Sequence, residues 1–202
     1  MPRRYVQRQR AAAAAETRIH VLDAARRTLL DADRLVFSVG QVADAAGVAR
    51  STVYAVFGSR AGLLAALADD TLRRAGLDEV IASFLLPDPI QALDLSLRAS
   101  CRMYGAGQRP IRRLLALGEV DPEAAAPITR SNSDRAMGMS SLAERLAAAG
   151  RLRPGLTPDR AADLLSLATS FGAFDELVAQ RGLDVEAAAD LLTELVRDTV
   201  LS

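Results

Sequence analysis

Side chains capable of specific hydrogen bonding are concentrated in one short stretch, residues 50–55, which reads RSTVYA. The stretch carries one guanidinium and three hydroxyls but no acidic group. An arginine can form a bidentate pair with guanine, hydroxyls can bond base edges or phosphates, and small apolar groups can contact a thymine methyl. The chemistry that these residues favour is recognition of DNA in the major groove. The alternative is an ordinary solvated helix face.

The residues around this stretch predict the helices that would position it. Ser38 and Gln41 have the spacing of a capping box, in which each side chain satisfies a free N–H group, so a helix should begin at Val39. Gly47 supplies the left-handed residue that ends this helix. A second helix then covers residues 50–57, with apolar residues four apart that turn inward. Two helices joined through a glycine form a helix-turn-helix.

The sequence of residues 42–64, VADAAGVARSTVYAVFGSRAGLL, resembles the DNA-binding signature of the TetR family of transcriptional regulators. The family pattern is of the type I-A-x-x-A-G-V-S-x-x-T-L-Y-x-H-F-x-s-K-x-x-L-L. The residues on its matching positions include Gly47, Val48, Thr52, Tyr54, Phe57, Leu63 and Leu64. The resemblance implies an N-terminal domain that binds double-stranded DNA.

By this resemblance, the second helix of the motif contacts DNA through both phosphates and bases. Thr52 and Tyr54 would bond phosphates. Arg50, Ser51 and Ala55 would face base edges. The operator sequence itself is not readable from these residue types.

Two further phosphate contacts are implied at the starts of neighbouring helices. Arg60 stands where the family usually has a lysine at the start of the fourth helix, and Ser38 stands at the start of the second. The sequence departs from the pattern where Ala49 replaces a capping Ser or Thr, Val56 replaces a His, and Gly40 has no side chain where some relatives reach a base. These departures keep open a second interpretation, a helical adaptor or scaffold with a degenerate DNA-binding head.

The composition predicts an all-α protein. Half of the 202 residues are hydrophobic but only 4% are aromatic, and alanine and leucine dominate, which favours helices over strands. We expect a three-helix helix-turn-helix domain at residues 16–60 and a helical ligand-binding and dimerisation domain at residues 61–202. Since the chain has one cysteine, Cys101, and no apolar run of about eighteen residues, we expect a cytoplasmic protein without a membrane partner.

The formal net charge is zero, but the charge is unevenly distributed. Residues 1–60 carry ten arginines and five acidic residues, whereas residues 61–202 carry fifteen arginines and twenty acidic residues. The basic end is therefore the one that suits DNA. Residues 1–15 form a basic arm that we expect to be flexible and to lie along phosphates or in the minor groove. The alternative is a tail whose alanines prolong the next helix, which we predict from about residue 16 to 32.

The C-terminal part has the pattern of a helical bundle. We expect helices at about residues 90–104, 111–119, 121–149, 157–180 and 185–201, with Pro127 delaying the start of the third or kinking it near Ile128. The last two carry wide apolar stripes, and the segment resembles the C-terminal domain of several TetR-family members. Two such hairpins can pack as a four-helix bundle across a twofold axis, so we predict a homodimer through the last two helices. The alternative is an internal core hairpin.

The resemblance also implies that the central helices enclose a pocket for a small-molecule effector. Soft apolar groups with a few hydroxyls are typical of such pockets, although the same residues at helical spacing are also typical of a plain core. The candidate lining residues are Phe84, Cys101, Met103, Tyr104, Leu114, Leu117, Met137, Met139, Leu142, Ser170, Phe171 and Phe174.

Nothing in the sequence predicts an enzyme. The chain has one histidine, His20, and one cysteine, Cys101, with no catalytic motif around either. No cluster has the spacing of metal ligands, and no cofactor motif occurs. The resemblance to the TetR family instead implies a transcriptional repressor that binds a palindromic operator and responds to a small apolar ligand.

Overall fold

The part of the chain that the structure describes is predominantly helical. The computed structural model describes the backbone of residues 2–31 and 36–202, and within those ranges the side chains from residue 13 onward. Its helices are α1 (Pro2–Asp31), α2 (Val39–Ala46), α3 (Arg50–Phe57), α4 (Arg60–Ala75), α5 (Leu77–Phe84), α6 (Pro89–Val120), α7 (Pro122–Ala148), α8 (Pro158–Ala168), α9 (Phe171–Asp175) and α10 (Val185–Val200). A π-helical segment, Glu176–Gln180, follows α9 directly. The predicted all-α fold is confirmed.

The chain consists of two compact units, residues 1–71 with 109–128 and residues 72–108 with 129–202. The first unit therefore contains α1 to α3, most of α4, the end of α6 and the start of α7. It extends past residue 60, the boundary that the sequence predicts, because Leu63, Leu64 and Leu67 of α4 belong to its core.

The core of the first unit is made of small and medium-sized apolar side chains from six helices. Helices as short as α2 and α3 are marginal in water, so their stability comes from this packing. The buried residues are Val21, Leu22, Ala24, Ala25 and Leu29 of α1, Phe37, Val39, Val42, Ala43 and Ala46 in and before α2, Val53 and Phe57 of α3, Leu63, Leu64, Leu67 and Ala68 of α4, Leu114 and Leu117 of α6, and Ala124 of α7.

Glycines form both corners of the helix-turn-helix region. Gly47 ends α2 with a φ of 63°, and Val48 then packs against the core. Gly58 ends α3 with a φ of 76°, which glycine adopts without a steric penalty. A Cβ on Gly62 would overlap the carbonyl oxygen of Phe57, so the tight corner between α3 and α4 also requires a glycine in the first turn of α4.

The described helices differ from typical membrane-spanning helices in length or apolar content. Within the described ranges, no single helix is long and apolar enough to cross a membrane. Taken together across a 68° bend, α3 and α4 meet the same requirement of length and composition.

The first helix begins at Pro2, not at residue 16, so the segment that the sequence predicts as a flexible arm is helical. Residues 11–15 are all alanine, the residue with the highest helix propensity, and a helix propagates readily through them. Pro2 is tolerated because the N–H at the first helical position has no intrahelical partner. The arginine side chains of this segment lie outside the described side chains, and their contact with DNA stays a prediction.

Two helices continue through prolines at which the sequence predicts a break or a kink. The sequence predicts separate helices before and after residues 105–110, but α6 is one helix with Pro110 inside it. In the same way, α7 runs without interruption past Pro127. An internal proline removes a backbone hydrogen bond and costs about 3 kcal/mol. Apolar residues before and after Pro110 are buried, and such packing outweighs the local cost.

The second unit has its own core, built on α5 to α10. The sequence predicts one helix over residues 157–180, but the structure interrupts it at Thr169 and Ser170. Thr169 Oγ1 donates to the carbonyl of Leu165 at 2.8 Å, and Ser170 Oγ accepts from the N–H of Ala173 at 3.1 Å, so hydroxyls compete with the helix ladder. The largest fully buried side chains of this unit are Leu93, Leu97, Met139, Leu142, Leu146, Leu165 and Phe174.

Candidate nucleic-acid interface

The N-terminus of α2 is closed by the capping box that the sequence predicts. Ser38 Oγ accepts from the N–H of Gln41 at 3.2 Å, and Gln41 Oε1 accepts from the N–H of Ser38 at 3.0 Å. Ser38 is half-buried. Its hydroxyl is used as an acceptor within the cap, so the hydroxyl proton is the group that can bond a phosphate oxygen.

The outer face of α3 carries the hydrogen-bonding side chains that the sequence predicts. Val53 and Phe57 are buried, which fixes the rotation of the helix about its axis. Arg50, Ser51 and Tyr54 are consequently exposed, as is Ala55, while Thr52 is half-buried. This face is polar, carries one positive charge and has no acidic residue, as a surface that approaches DNA requires.

The guanidinium of Arg50 lies over the backbone of Gly40 in the first turn of α2. A Cβ built on Gly40 would lie 2.7 Å from Arg50 Nη2, 3.0 Å from Cζ and 3.1 Å from Nε. Among the residues that the structure describes, none forms a hydrogen bond or an ion pair with Arg50. Its N–H groups are therefore available to an external acceptor.

Two side chains of α1 contact the helix-turn-helix, one at α2 and one at α3. His20 Nε2 lies 2.8 Å from the carbonyl oxygen of Ala46, in the last turn of α2. The guanidinium of Arg18 lies over the ring of Phe57, 4.8 Å from its centroid, which is a cation–π geometry. His20 is thus a structural hydrogen-bonding residue that its sequence position, away from the apolar face of α1, does not reveal.

Arg60, at the start of α4, has a different environment from Arg50. Its Nε and Nη2 donate to the carbonyl oxygen of Phe37 at 3.2 and 3.0 Å. Its Nη1 bonds Glu123 Oε2 at 2.6 Å and Asp121 Oδ1 at 3.2 Å, and Nη2 also pairs with Asp121. The guanidinium therefore links the segment before α2 to the start of α7, all within the first unit.

This ion pair changes the electrostatics of both partners. The hydrogen bond from Arg60 holds the pKa of Asp121 below its usual range, and the bond to Asp121 raises the pKa of Arg60. The phosphate contact that the resemblance implies for Arg60 stays a prediction. It would require Arg60 to leave two carboxylates or to share its donors between them and the phosphate.

Residues 21–67 match the sequence profile of the TetR family of bacterial regulatory proteins. The matched segment is a TetR-family domain. It runs from α1 to α4 and contains all seven residues that the sequence predicts to contact DNA. A chain that carries this domain is a DNA-binding transcriptional regulator.

Many solved structures are similar to this chain, and three of them illustrate the likeness over nearly its whole length. NalD, the secondary repressor of the MexAB-OprM multidrug efflux pump in Pseudomonas aeruginosa, is 25% identical, with a TM-score of 0.69 over 94% of this chain and 98% of NalD. Salmonella enterica GusR is 23% identical, with a TM-score of 0.67 over 91% and 94% of the two chains. A TetR transcription regulator from Haloarcula marismortui is 15% identical, with a TM-score of 0.70 over 92% and 99%. The chain matches no curated protein in sequence.

The predicted effector residues are divided between the two units, and one of them is exposed. Leu114 and Leu117 are buried in the core of the first unit, and Met137 on α7 is 61% exposed. These placements follow from helix rotation, which a sequence pattern alone does not fix. Apart from Leu114 and Leu117, the predicted residues belong to the second unit: Phe84, Cys101, Met103, Tyr104, Met137, Met139, Leu142, Ser170, Phe171 and Phe174.

Three aromatic residues of the second unit contact one another. The ring centroid of Tyr104 lies 5.4 Å from that of Phe171 and 5.7 Å from that of Phe174, and the two phenylalanines are 6.4 Å apart. The hydroxyl of Tyr104 donates to the carbonyl of Thr169 at 3.0 Å. Burial raises the pKa of Tyr104 to about 12, so the phenol stays protonated at neutral pH.

The one histidine and the one cysteine of the sequence lie in different units. His20 belongs to the first unit and Cys101 to the second. Burial raises the pKa of the Cys101 thiol to about 11, so it is not a thiolate at neutral pH. No group of three His, Cys, Asp or Glu side chains among the described residues is arranged to hold a metal ion.

Sequence reasoning does not find the residues that support this interface from a distance. Asp121 is recognisable as a helix cap, but its pairing with Arg60 spans 61 positions. Gly40 appears in the sequence as a missing side chain, whereas in the structure its backbone lies under the Arg50 guanidinium. Only the adjacency of Gly40 to the capping box suggests that it lies at the end of α2 that the resemblance assigns to DNA.

Proposed function

We propose that the chain is a repressor that binds a palindromic operator as a homodimer and that a small apolar molecule modulates this binding. The observation that carries the proposal is the acid-free outer face of α3, on which Arg50 has all its donors available. Bidentate pairing of such an arginine with guanine supplies base discrimination, and the hydroxyls of Ser51, Thr52 and Tyr54 supply base or phosphate contacts.

Apolar residues on the last helices support dimerisation. Leu167 of α8 is 67% exposed and Leu195 of α10 is 52% exposed, and Leu191 is exposed one turn before Leu195. Both helices also contribute buried residues to their own unit, so the exposed leucines form a second apolar face. A second copy of the chain can cover this face across a twofold axis.

The aromatic cluster supports a small apolar effector. Tyr104, Phe171 and Phe174 provide ring surface, and the interrupted backbone at Ser170 and the π-helical segment after α9 give this region an irregular shape. Irregular segments of this kind often occur at functional sites. An effector acts on DNA binding only through different affinities for the two states of the regulator.

NalD motivates the proposal of repression. It is described as a repressor, and its fold matches nearly all of this chain. Repression requires only that the bound dimer cover a promoter, so it needs no activation surface. A reporter gene placed behind the operator should be silent with the chain present and expressed without it; the opposite response would mean activation.

Selection of binding sites from a genomic DNA library tests the core of the proposal. We expect a palindrome whose half-sites are about one helical turn apart, bound at two chains per site. Raising the salt concentration should weaken binding steeply, since phosphate contacts release counterions. Weak binding without an enriched sequence would instead support the adaptor interpretation.

The dimer is tested by introducing a charge on its proposed face. Leu195→Glu should shift the chain toward monomer in sedimentation equilibrium and weaken operator binding. Ile81→Glu is the matched control because Ile81 of α5 is 47% exposed, close to the 52% of Leu195, but lies on another helix. A dimer that survives Leu195→Glu but not Ile81→Glu would move the interface to α5.

A further inference from the structure

Gly40 and Arg50 lie close together at the N-terminal ends of the two helices of the helix-turn-helix. These are the ends that we propose to face DNA. Gly40 is the second residue of α2, and Arg50 is the first residue of α3. A Cβ built on Gly40 would lie 2.7 Å from Nη2, 3.0 Å from Cζ and 3.1 Å from Nε of Arg50. These distances place the built Cβ out of the guanidinium plane and nearest its Nε–Nη2 edge, so the planar group lies obliquely over the space that a Gly40 side chain would fill.

This close approach restricts the guanidinium while leaving its hydrogen-bonding groups available. An arginine side chain has high rotamer entropy, which binding normally reduces, so a side chain already held in one plane binds at a lower entropic cost. Arg50 is exposed and has no hydrogen-bonding partner among the described residues. The guanidinium can therefore bond the two acceptors of a guanine while it remains over Gly40.

Any side chain at position 40 would displace this arrangement. A Cβ at 2.7 Å from Nη2 is closer than real contacts allow, and the end of a flexible arginine is what would move. The backbone of Gly40 is helical, so alanine fits there without backbone strain. Substitution should thus move the guanidinium and leave the fold intact.

We propose that Gly40 is a specificity-determining residue that positions the Arg50 guanidinium for one base pair of the operator half-site. The proposal rests on the proposed DNA-reading function of α3. It assigns to Gly40 no contact with DNA. Its effect on base choice passes entirely through Arg50.

Four proteins test the proposal: the wild type, Gly40→Ala, Arg50→Ala and the double variant. Each is titrated with the selected operator and with a panel in which every half-site base pair is replaced in turn. Gly40→Ala should reduce discrimination roughly three- to tenfold at one base pair, which is part of what an arginine–guanine pair supplies. The same base pair should lose its preference in Arg50→Ala, and adding Gly40→Ala to that variant should change nothing further.

A helical glycine elsewhere provides the matched control. Gly138 of α7 lies in a helix, and a Cβ there would meet the Phe84 ring at an ordinary 3.5 Å. Gly138→Ala should leave the base preferences unchanged. Thermal unfolding should show no loss of stability in Gly40→Ala, because alanine favours a helix over glycine. A structural role for Gly40 would instead lower the melting temperature.

The outcomes separate this inference from the function on which it rests. Suppose that the wild type discriminates among the operators of the panel and that Arg50→Ala loses the preference at one base pair. If Gly40→Ala then keeps the wild-type preference at every base pair, the positioning role is wrong and the DNA-reading function stands. The positioning role is also wrong if Gly40→Ala acts at a different base pair, or acts equally with and without Arg50. A wild type that selects no operator overturns both.

Discussion

The starts of α3 and α4 place the same residue type in opposite situations. Arg50 is the first residue of α3, and Arg60 is the first residue of α4. Arg50 lies over a glycine backbone with its donors available, whereas Arg60 bonds a carbonyl and two carboxylates of its own unit. Two arginines that the resemblance assigns to DNA therefore differ in the partners that they have within the protein.

The difference lies in which residues reach each guanidinium. Asp121 and Glu123 are presented to Arg60 by the start of α7, and the carbonyl of Phe37 completes its partners. Arg50 meets no acidic residue among those described. We infer that Arg50 serves recognition and Arg60 serves the architecture of the unit, and variants of each residue can separate these roles.

The largest expected effect is that of Arg50→Ala on operator binding. Loss of a bidentate arginine–guanine pair should cost about 1–3 kcal/mol, or roughly 5- to 150-fold in affinity. The melting temperature should not change, because Arg50 has no hydrogen-bonding partner in the described unit. Titration of the selected operator and thermal unfolding measure the two properties on the same preparation.

Tyr54→Phe is the companion variant on the same face. It removes only a hydroxyl that the resemblance assigns to a phosphate, so affinity should fall about equally for operator and unrelated DNA. A base preference altered by Tyr54→Phe, or a loss of stability in Arg50→Ala, would contradict the division of roles proposed here.

The contrast between the two arginines also marks how far the sequence can be read. The capping box at Ser38, the turn at Gly47 and the inward positions of α3 depend on neighbours within a few residues, and the structure confirms them. The pairing of Arg60 depends on Asp121, whose position is set by the packing of a distant helix. Patterns of neighbouring residues therefore predict the outer face of α3 well, but they do not predict the Arg60–Asp121 ion pair.

The same limit explains the errors in the second unit. The sequence around Pro110 predicts a helix break, but buried residues on both sides of it keep α6 continuous. Met137 reads as a pocket residue, but the rotation of α7 turns it outward. Ser170 reads as part of a long helix, but its hydroxyl caps a new one. In each case the tertiary packing or a side-chain hydrogen bond outweighs the periodic pattern.

A smaller effect is expected for Arg60→Ala, and on stability more than on base choice. Removing the guanidinium leaves Asp121 and Glu123 without their partner and should destabilise the unit by about 1–2 kcal/mol in denaturant unfolding. Base preferences should remain those of the wild type. A structural role is contradicted if stability is unchanged and the salt dependence of DNA binding weakens by about one phosphate contact.

The smallest effect concerns the pH dependence of stability. Arg60 holds the pKa of Asp121 below its usual range, so the ion pair stabilises the folded chain fully above the ordinary aspartate pKa of about 4. As the pH falls through the lowered folded pKa, Asp121 is protonated and this contribution is lost. Arg60 stays protonated throughout, so no matching loss occurs at alkaline pH.

Asp121→Asn isolates this contribution from the titration of other carboxylates. Asp121 Oδ1 also accepts from the N–H of Glu123 at 3.0 Å, and an asparagine oxygen can keep that cap while the charge is removed. The difference in unfolding free energy between wild type and variant should be largest near neutral pH and shrink below about pH 4. In the Arg60→Ala background that difference should be small at every pH, because the ion pair is already absent. If a pH-dependent difference persists without Arg60, the helix cap and not the ion pair lowers the pKa of Asp121. The ion pair would then not be what distinguishes Arg60 from Arg50.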